Sequence, residues 1–366
     1  MLPHPTVLLL IPHLGGGGAE RVAALIATGL NPRKYNVHLG LITQKAPVDD
    51  LLPASVTVHS LGTKRVRRSA WRLLRLVWRL RPQVILSGMF HLNFLLLLLR
   101  PFFPRGCRVI VRQNGPADLE NSGRSRRLLY RVLYPRADAV ICQTGAMAAE
   151  LGQLARCASA VRVLPNPVDV DVIRRPAASS APRRTGPGPH LIAVGRLAHE
   201  KGFDLLINAL ALVRRRFPSA ELTILGQGIE RPGLENLAKS LDLETAVRFA
   251  GYDPNPAAWL CGASLFVLSS RFEGLPNALL EAAAAGLPIA ATQASEGIRE
   301  LLAGKRGVWL AESVSADGIA VAIESALSQL SSGERFAHSW VNAFSTEAAI
   351  PAYESLIDEF LAEHAL

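Results

Sequence analysis

The chain has 366 residues, 49% of them hydrophobic and 6% aromatic, and its four cysteines are scattered without any Cys-x-x-Cys spacing. This length favours two domains of ordinary size, and the composition is typical of an α/β protein with large cores. The cysteine pattern argues against a zinc site or a disulfide framework and predicts a reducing compartment, the cytoplasm.

Positive charge is concentrated in the first half of the chain. Residues 1–175 hold 25 Lys and Arg against 9 Asp and Glu, whereas the remaining residues hold 15 against 21. This asymmetry predicts that only the first half meets an anionic surface or ligand.

The segment LLLIPHLGGGGAERVAALIATGL predicts a strand that ends near Ile11, a run of four glycines and a helix that begins near Ala19. Glycines at a helix N-terminus let backbone N–H groups approach an anion or a sugar closely. The run lacks the G-x-G-x-x-G spacing of dinucleotide sites, and glycine runs also occur in plain strand-to-helix turns, so both interpretations stay open.

The segment KRVRRSAWRLLRLVWRLR predicts an amphipathic helix over residues 64–81. Trp71, Leu74, Val77, Trp78 and Arg81 recur at helical spacing, and other arginines, among them Arg67, Arg68, Arg72, Arg75 and Arg79, spread over the rest. The pattern fits an ordinary packing helix with a solvated basic face, or a helix that attaches to anionic lipid headgroups.

The most apolar stretch, HLNFLLLLLRPFFP, is interrupted by Arg100 and Pro101 before it reaches the ~18 apolar residues that a membrane span requires. The N-terminal TVLLLIP is too short for a secretory signal and lacks a basic flank. We therefore expect a protein that crosses no membrane but can sit peripherally on the inner face of the cell membrane.

Residues 174–190, RRPAASSAPRRTGPGPH, have the composition of an interdomain linker. Short apolar runs alternate with helical stretches on both sides of it, which predicts parallel strands covered on both faces. The predicted fold is therefore α/β, with two Rossmann-like domains, residues 1–173 and 191–344, facing each other across a cleft. The sequence leaves open whether the closing helix, within 345–366, crosses back to the first domain.

The segment LIAVGRLAHEKGFD places Arg196 and Lys201 just after Gly195, at the carboxyl end of the first strand of the second domain. In an otherwise acidic domain these cations suit a diphosphate, because Arg can bind two phosphate oxygens and Lys supplies a compact charge. The alternative is that both are solvated surface residues.

The segment RFEGLPNALLE follows the apolar run LFVLSS, so Glu273 lies at the carboxyl edge of the sheet, where open α/β sheets bind ligands. Pro276 suits the first helical position and Gly286 ends the helix, whose N-terminal amides favour phosphate. Glu273 in the loop can reach a sugar, and Glu281 within the helix can accept two hydrogen bonds from a vicinal diol such as ribose.

This segment resembles the E-x7-E motif of retaining glycosyltransferases of family 4, which have the GT-B fold. Further motifs similar to that family occur in order along nearly the whole chain, namely GGGAERV, VILSGMFHLN, VLPNPVD, VGRLAHEKGFD, LTILGQG, VRFAGY and SEGIREL. The resemblance implies transfer of a hexose or N-acetylhexosamine from a nucleotide-sugar, with a UDP-sugar favoured, to a lipid-linked or glycan acceptor in surface polysaccharide synthesis.

The same resemblance implies roles for single residues. Arg196 and Lys201 would neutralise the donor diphosphate, Glu281 would bind the ribose hydroxyls, and Glu273 would contact the donor hexose. The donor-binding residues implied in this way are Gly17, Gly18, Gly195, Arg196, Lys201, Gly226, Gly251, Tyr252, Glu273, Gly274, Leu275, Asn277 and Glu281.

His91 in MFHLN corresponds to a histidine that often lines the active site of this family. The predicted catalytic residues are Glu273, His91, Arg196 and Lys201, and the predicted acceptor-binding residues are Gly16, Arg112 and Asn114. Many relatives with a GGAER start carry a histidine in the loop that reads VRQNGP here, so no titratable base stands at that position.

The sequence predicts a reaction without a metal or another cofactor. No Asp-x-Asp of the metal-dependent type occurs in the predicted cleft strands, and DVD at 169–171 lies beside the linker. Arg196, Lys201 and the helix dipole can stabilise the leaving diphosphate instead. Retention at the anomeric carbon, through same-face attack without a covalent intermediate, is implied by the family resemblance alone.

Two other classes of function are compatible with parts of the pattern. A nucleotide-sugar epimerase or a sugar phosphorylase can share the fold, although an epimerase usually shows a different acidic constellation. A non-catalytic membrane- or nucleic-acid-binding protein also explains the basic charge. Nucleic-acid binding, however, predicts charges that follow one surface with aromatics for stacking, and it gives no reason for the cations and glutamates of the acidic domain, so we expect no nucleic-acid partner.

Overall fold

The computed structural model describes residues 4–15, 17–43, 52–63, 66–115, 124–157, 160–175 and 188–362. The chain divides into two compact units, of which the first comprises Met1–Val168 with Ala343–Leu366 and the second comprises Asp169–Asn342. The division therefore precedes the domain end expected at residue 173, and residues 176–187 of the expected linker lie outside the described residues.

The strands and helices alternate along the described chain. The strands are β1 (Thr6–Ile11), β2 (Asn36–Leu41), β3 (Val56–Ser60), β4 (Val84–Ser87), β5 (Arg108–Arg112), β6 (Ala139–Cys142), β7 (Val161–Val163), β8 (His190–Val194), β9 (Glu221–Leu225), β10 (Val247–Gly251), β11 (Leu265–Leu268), β12 (Ile289–Ala291) and β13 (Val308–Leu310). The helices are α1 (Gly18–Gly29), α2 (Ala70–Leu80), α3 (Phe90–Leu99), α4 (Arg124–Leu133), α5 (Gly145–Ala155), α6 (Val170–Arg174), α7 (Phe203–Val213), α8 (Arg231–Ser240), α9 (Ala257–Gly262), α10 (Asn277–Ala284), α11 (Glu296–Leu302), α12 (Ala316–Gln329) and α13 (Thr346–Ala362).

Each unit is built on one parallel sheet. The strand order is β3-β2-β1-β4-β5-β6-β7 in the first unit and β10-β9-β8-β11-β12-β13 in the second. The order reverses between β1 and β4 in one sheet and between β8 and β11 in the other. Loops diverge at such a reversal and leave a crevice at the carboxyl edge of the sheet, which is where ligands bind in this class of fold.

Helices cover both faces of the first sheet. Leu8 and Leu10 of β1 join the core beneath α2 to α5, whereas Val7 and Leu9 join the core beneath α1 and α13. A strand covered on both faces has no polar side, which explains the continuous apolar runs in the sequence. The closing helix α13, whose place the sequence leaves open, thus packs on the first unit against α1.

The basic helix expected over residues 64–81 is shorter than predicted. A 3-10 turn, Val66–Arg68, precedes α2, and the Ser69 hydroxyl donates to the Val66 carbonyl (2.6 Å), which closes that turn. The helix ends where Arg81 adopts the left-handed conformation, φ 45°, immediately before a proline. Within the described ranges, none of the helices combines the length and the apolar content that crossing a bilayer requires.

Three strand ends meet closely at one edge of the second sheet. The Gly195 amide donates to Leu225 O (3.0 Å), and the Gly226 amide donates to Gly251 O (2.7 Å). Gly226 has φ 151°, which residues with a side chain rarely adopt, and a Cβ built on it overlaps the Gly195 carbonyl oxygen. The close approach of these strand ends therefore requires glycine at position 226.

We expect Gly226→Ala to destabilise the protein by about 1–3 kcal/mol, because the methyl group adds backbone strain and displaces the Gly195 strand end. The matched control is Gly233→Ala in α8, where an added Cβ meets no atom within 4 Å. That change should stabilise the protein by about 0.5–1 kcal/mol. Urea unfolding measures both, and equal effects of the two changes contradict the prediction.

Candidate functional site

Lys201 and Glu273 form an ion pair at the carboxyl edge of the second sheet. Lys201 ends a 3-10 turn, His199–Lys201, that follows β8, and Glu273 lies in the loop after β11, so the pair stands where the strand order reverses. The two side chains keep 20% and 13% of their accessible surface. Each charge is therefore neutralised by the other, yet both remain within reach of a ligand.

Hydrogen bonds from hydroxyl and backbone groups hold the two partners in place. The Ser270 hydroxyl donates to Glu273 Oε1 (3.0 Å), and the Glu273 amide donates to Ala294 O (3.3 Å). The Ser269 hydroxyl donates to the Lys201 carbonyl (2.9 Å), which ties the glutamate loop to the lysine turn. The geometry of the pair is thus set by backbone and hydroxyl contacts and does not depend on the long lysine side chain alone.

Two glycines make room for this arrangement. A Cβ on Gly195 would lie 3.4 Å from Cδ and Cε of Lys201, so the lysine stem passes over the bare backbone of β8's end. Gly202 adopts φ 61° at the start of α7, and a Cβ there overlaps the Ser269 carbonyl oxygen. The predicted donor residue Gly195 is thereby placed in contact with Lys201.

A second ion pair, which the sequence reasoning missed, braces the glutamate loop. Arg271 donates through Nη1 and Nη2 to the two carboxylate oxygens of Asp204 (2.7 and 2.6 Å), and Nη1 also donates to His199 O (2.9 Å). The Arg271 guanidinium holds the pKa of Asp204 below its usual range. Both residues lie inside the quoted motifs, VGRLAHEKGFD and RFEGLP, but they are 67 positions apart and only the fold brings them together.

Helix α10 begins directly after this loop. Pro276 precedes it in an extended conformation, supplies no side-chain cap, and no acidic residue occupies the first turn, so the positive end of the helix is available to an anion. Glu281 lies one turn further along α10 and is buried to 7% exposure. The lysine, the loop glutamate and the helix N-terminus are therefore gathered at one edge of the sheet.

The other predicted donor residues lie around this centre. Arg196 is exposed and pairs with Glu200, four residues further along the chain. Gly226 contacts Gly195 as described, whereas Gly251 ends β10, two strands from β8, and the half-exposed Tyr252 follows it. Gly274 and Leu275 lie in the loop between β11 and α10, and Asn277 opens α10.

The glycine loop of the first unit differs from the expectation in one respect. Gly17 is the residue before α1, and a Cβ built on it overlaps the carboxylate of Glu20, which folds back over the first turn of the helix that Gly18 opens. An anionic ligand at this helix N-terminus must therefore compete with Glu20. Gly16 lies outside the described residues.

His91 lies in the first turn of α3, after β4, where the order of the first sheet reverses. Its side chain is exposed, and its ring meets Phe90 edge-on with centroids 5.1 Å apart. The guanidinium of Arg126 lies 4.3 Å from the Phe90 ring centroid. The predicted catalytic histidine is thus open to solvent at the ligand-binding edge of its own sheet.

The two other residues assigned to the acceptor differ in accessibility. Arg112 is 1% exposed and donates through Nη2 to Asn166 (2.6 Å), while its carbonyl accepts from Asn93 (2.8 Å). Burial of this extent keeps Arg112 from an acceptor in the present conformation. Asn114 is partly exposed, with its amide donating to Gly88 O and its carbonyl oxygen accepting from Gln143 (3.3 Å).

Comparison with known proteins agrees with this architecture. Residues 16–172 match the family described as "Glycosyltransferase Family 4", and residues 188–329 match the family described as "Glycosyl transferases group 1". The chain is 30% identical over 271 residues to the lipopolysaccharide core biosynthesis glycosyltransferase LpsE of Rhizobium meliloti, covering 71% of this chain and 75% of that protein.

A second relative comes from Campylobacter jejuni. It is the N-acetylgalactosamine-N,N'-diacetylbacillosaminyl-diphospho-undecaprenol 4-alpha-N-acetylgalactosaminyltransferase, 28% identical over 309 residues, with 80% of this chain and 82% of that protein covered. Among solved structures, Anabaena Alr3699/HepE in complex with UDP and glucose matches with a TM-score of 0.81 at 17% identity, covering 97% of this chain and 100% of that chain. This likeness confirms the fold expected from the sequence.

We expect the Arg271–Asp204 pair to contribute about 0.5–1 kcal/mol of coupling energy at neutral pH, because it is bidentate but screened by solvent at the partly exposed Asp204. A double-mutant cycle of Arg271→Met and Asp204→Asn, read by urea unfolding, measures it. Asp204 has a depressed pKa when folded, so the coupling should persist above its ordinary value near pH ~4 and vanish as the pH falls below the folded value. Coupling that survives at low pH contradicts the assignment.

Proposed function

The chain belongs to glycosyltransferase family 4, and we propose that it is a retaining, metal-independent enzyme that transfers a hexose or N-acetylhexosamine from a UDP-sugar to a lipid-linked acceptor in surface polysaccharide assembly. The observation that carries the proposal is the Lys201–Glu273 pair beside the N-terminus of α10, at the reversal point of the second sheet. Membership of the family also favours an enzyme over a non-catalytic binding protein.

The donor diphosphate is assigned to Lys201 and the N-terminus of α10. The Lys201 and Glu273 side chains keep only 20% and 13% of their accessible surface, and an unpaired charge at that burial is costly, so in the free protein each satisfies the other. When a diphosphate arrives, Lys201 can pair with it, and the Glu273 carboxylate becomes free to accept hydrogen bonds from hexose hydroxyls. Arg196 is exposed, and within the described residues its ion-pair partner is the nearby Glu200. By rotating its side chain, Arg196 can add a second cation to the diphosphate site.

The ribose is assigned to Glu281. This carboxylate is held at a defined depth on α10, and an ionised carboxylate accepts two hydrogen bonds from a vicinal diol. We propose UDP as the nucleotide because the fold neighbour HepE was solved in complex with UDP and glucose.

The acceptor is assigned to the first unit. Its basic charge suits an anionic, lipid-linked acceptor. The name of the Campylobacter jejuni relative gives a diphospho-undecaprenol compound as the substrate of that enzyme. Such an acceptor is presented at a membrane, so the enzyme is proposed to work as a peripheral protein on its inner face. Asn114 and His91 are the accessible candidates for contact with the acceptor side of the reaction.

The reaction can be written with these parts. The bond between the anomeric carbon and the diphosphate oxygen breaks, and both electrons leave with UDP. The acceptor oxygen forms the new bond on the same face of the sugar, and its proton passes to the departing phosphate oxygen. Lys201 and the amides of α10 stabilise the negative charge that develops on the leaving group, which is the task a metal ion performs in metal-dependent transferases.

Glu281→Ala is expected to raise the Kd for UDP about 10–100-fold, because charge-assisted hydrogen bonds to the ribose are worth about 1.5–3 kcal/mol. Glu273→Ala should not weaken UDP binding, because it leaves Lys201 able to pair with the diphosphate, and it should lower kcat on the order of a hundredfold, since Glu273 acts on the hexose. Calorimetry with UDP and release of UDP from the preferred UDP-sugar measure the two effects. Glu324→Gln on α12 is the control, and unchanged kinetics in both site variants would sink the assignment.

Treatment with EDTA should leave the initial rate unchanged, because the cations that stabilise the leaving group belong to the protein. The rate of UDP release is compared before chelation, after dialysis against EDTA, and after addition of Mg²⁺ or Mn²⁺. A strict requirement for either ion overturns the leaving-group part of the proposal.

A further inference from the structure

The outer side of one helix layer in the first unit exposes large apolar side chains. Helices α2, α3 and α4 pack in succession on the same face of the sheet, through a core that contains residues of all three. The exposed residues are Trp71 and Trp78 on α2, Leu98 on α3, Phe102 in the 3-10 turn Arg100–Phe102, and Leu128, Leu129 and Val132 on α4. We refer to this set as the aromatic face.

A groove crosses the aromatic face between α2 and the turn that follows α3. It has a volume of about 640 Å³ and is lined by Trp71, Leu74, Arg75, Trp78, Pro101, Phe102 and Phe103. Trp71 is 75% exposed and Phe102 63%, and the Trp78 indole N–H donates to the Phe102 carbonyl (2.9 Å). This hydrogen bond joins the Trp78 ring to the backbone of the turn that carries Phe102.

Helix α2 uses its other side to pack on the sheet. Leu73, Leu76 and Val77 are buried, whereas Trp71 and Trp78, two turns apart, face away from the core. An ordinary packing helix buries its tryptophans, because they carry the largest apolar surface. Packing within this unit therefore does not explain why tryptophan occupies these two exposed positions.

The charge of the segment that forms α2, α3 and the turn after α3 has one sign. Residues 51–117 contain 12 Lys and Arg and no Asp or Glu. Exposed arginines flank the groove at Arg67, Arg68, Arg75, Arg79 and Arg105. Aromatic side chains ringed by arginine match the boundary between anionic headgroups and acyl chains, where tryptophan rings and basic residues are both favoured.

We propose that the aromatic face docks on an anionic phospholipid bilayer, with Trp71, Trp78 and Phe102 entering the boundary between headgroups and acyl chains. Apolar insertion and arginine attraction supply the two signals that stable peripheral attachment requires. The biological role of this docking rests on the proposed function, because a lipid-linked acceptor is carried by the same bilayer. The binding itself can be measured without turnover.

Flotation with vesicles tests the docking. The full chain should bind vesicles that contain phosphatidylglycerol and not vesicles of phosphatidylcholine alone, and binding should weaken as salt is added. Replacing the two most exposed rings, Trp71→Ala with Phe102→Ala, should lower the partition coefficient about tenfold or more, and Arg75→Gln about fivefold. The controls in the second unit are Val321→Ala and Arg215→Gln, both at exposed positions, and they should leave binding unchanged.

Tryptophan fluorescence provides a second test that does not depend on the folding of the alanine variant. Brominated acyl chains should quench tryptophan emission of the wild type, and the quenching should fall strongly in Trp71→Phe with Trp78→Phe, since the other three tryptophans lie in the second unit. Equal binding to neutral vesicles, no binding, or a dimer that the Trp71→Ala change dissociates overturns the docking proposal. A thermal shift with UDP, recorded on the same samples, reports separately on the proposed donor site.

Discussion

Lys201 and Glu273 are 72 positions apart in the chain, yet their charges meet because β8 and β11 are neighbours in the second sheet. The reversal of strand order at this place sends the two following loops in opposite directions and leaves a crevice between them, where Lys201 and Glu273 meet. The other residues of the candidate site are arranged around this ion pair. Gly195 leaves space for the lysine stem, and Ser270 holds the carboxylate.

The same constraint explains why so much of the surrounding backbone is tied together. Two charges at this degree of burial are tolerated only with well-placed partners, and a loose loop would leave them unpaired for part of the time. The Ser269 hydroxyl, the glycine at position 202 and the Arg271–Asp204 pair all join the glutamate loop to the turn after β8. A preorganised pair can exchange partners with an anionic ligand at little cost in side-chain order.

The first unit follows the same sheet topology but distributes its chemistry differently. The Glu20 carboxylate lies over the N-terminus of α1, and Arg112 is buried against Asn166, so neither the helix end nor the arginine presents an accessible positive group at that edge. Exposed arginines instead lie on the outside of the helix layer, near the exposed tryptophans. The charge asymmetry of the sequence therefore corresponds to a surface property of this unit.

The sequence by itself determined the α/β class, the two domains and the order of strands and helices, because continuous apolar runs and glycine or proline boundaries are local signals. It also pointed to Lys201, Glu273 and Glu281, since position after a strand or on a helix can be read from neighbouring residues. Only the tertiary structure decided that α13 joins the first unit, that Arg271 pairs with Asp204, that Arg112 is buried, and that Trp71 faces outward. These outcomes depend on contacts between segments distant in sequence, which the local pattern of residues does not specify.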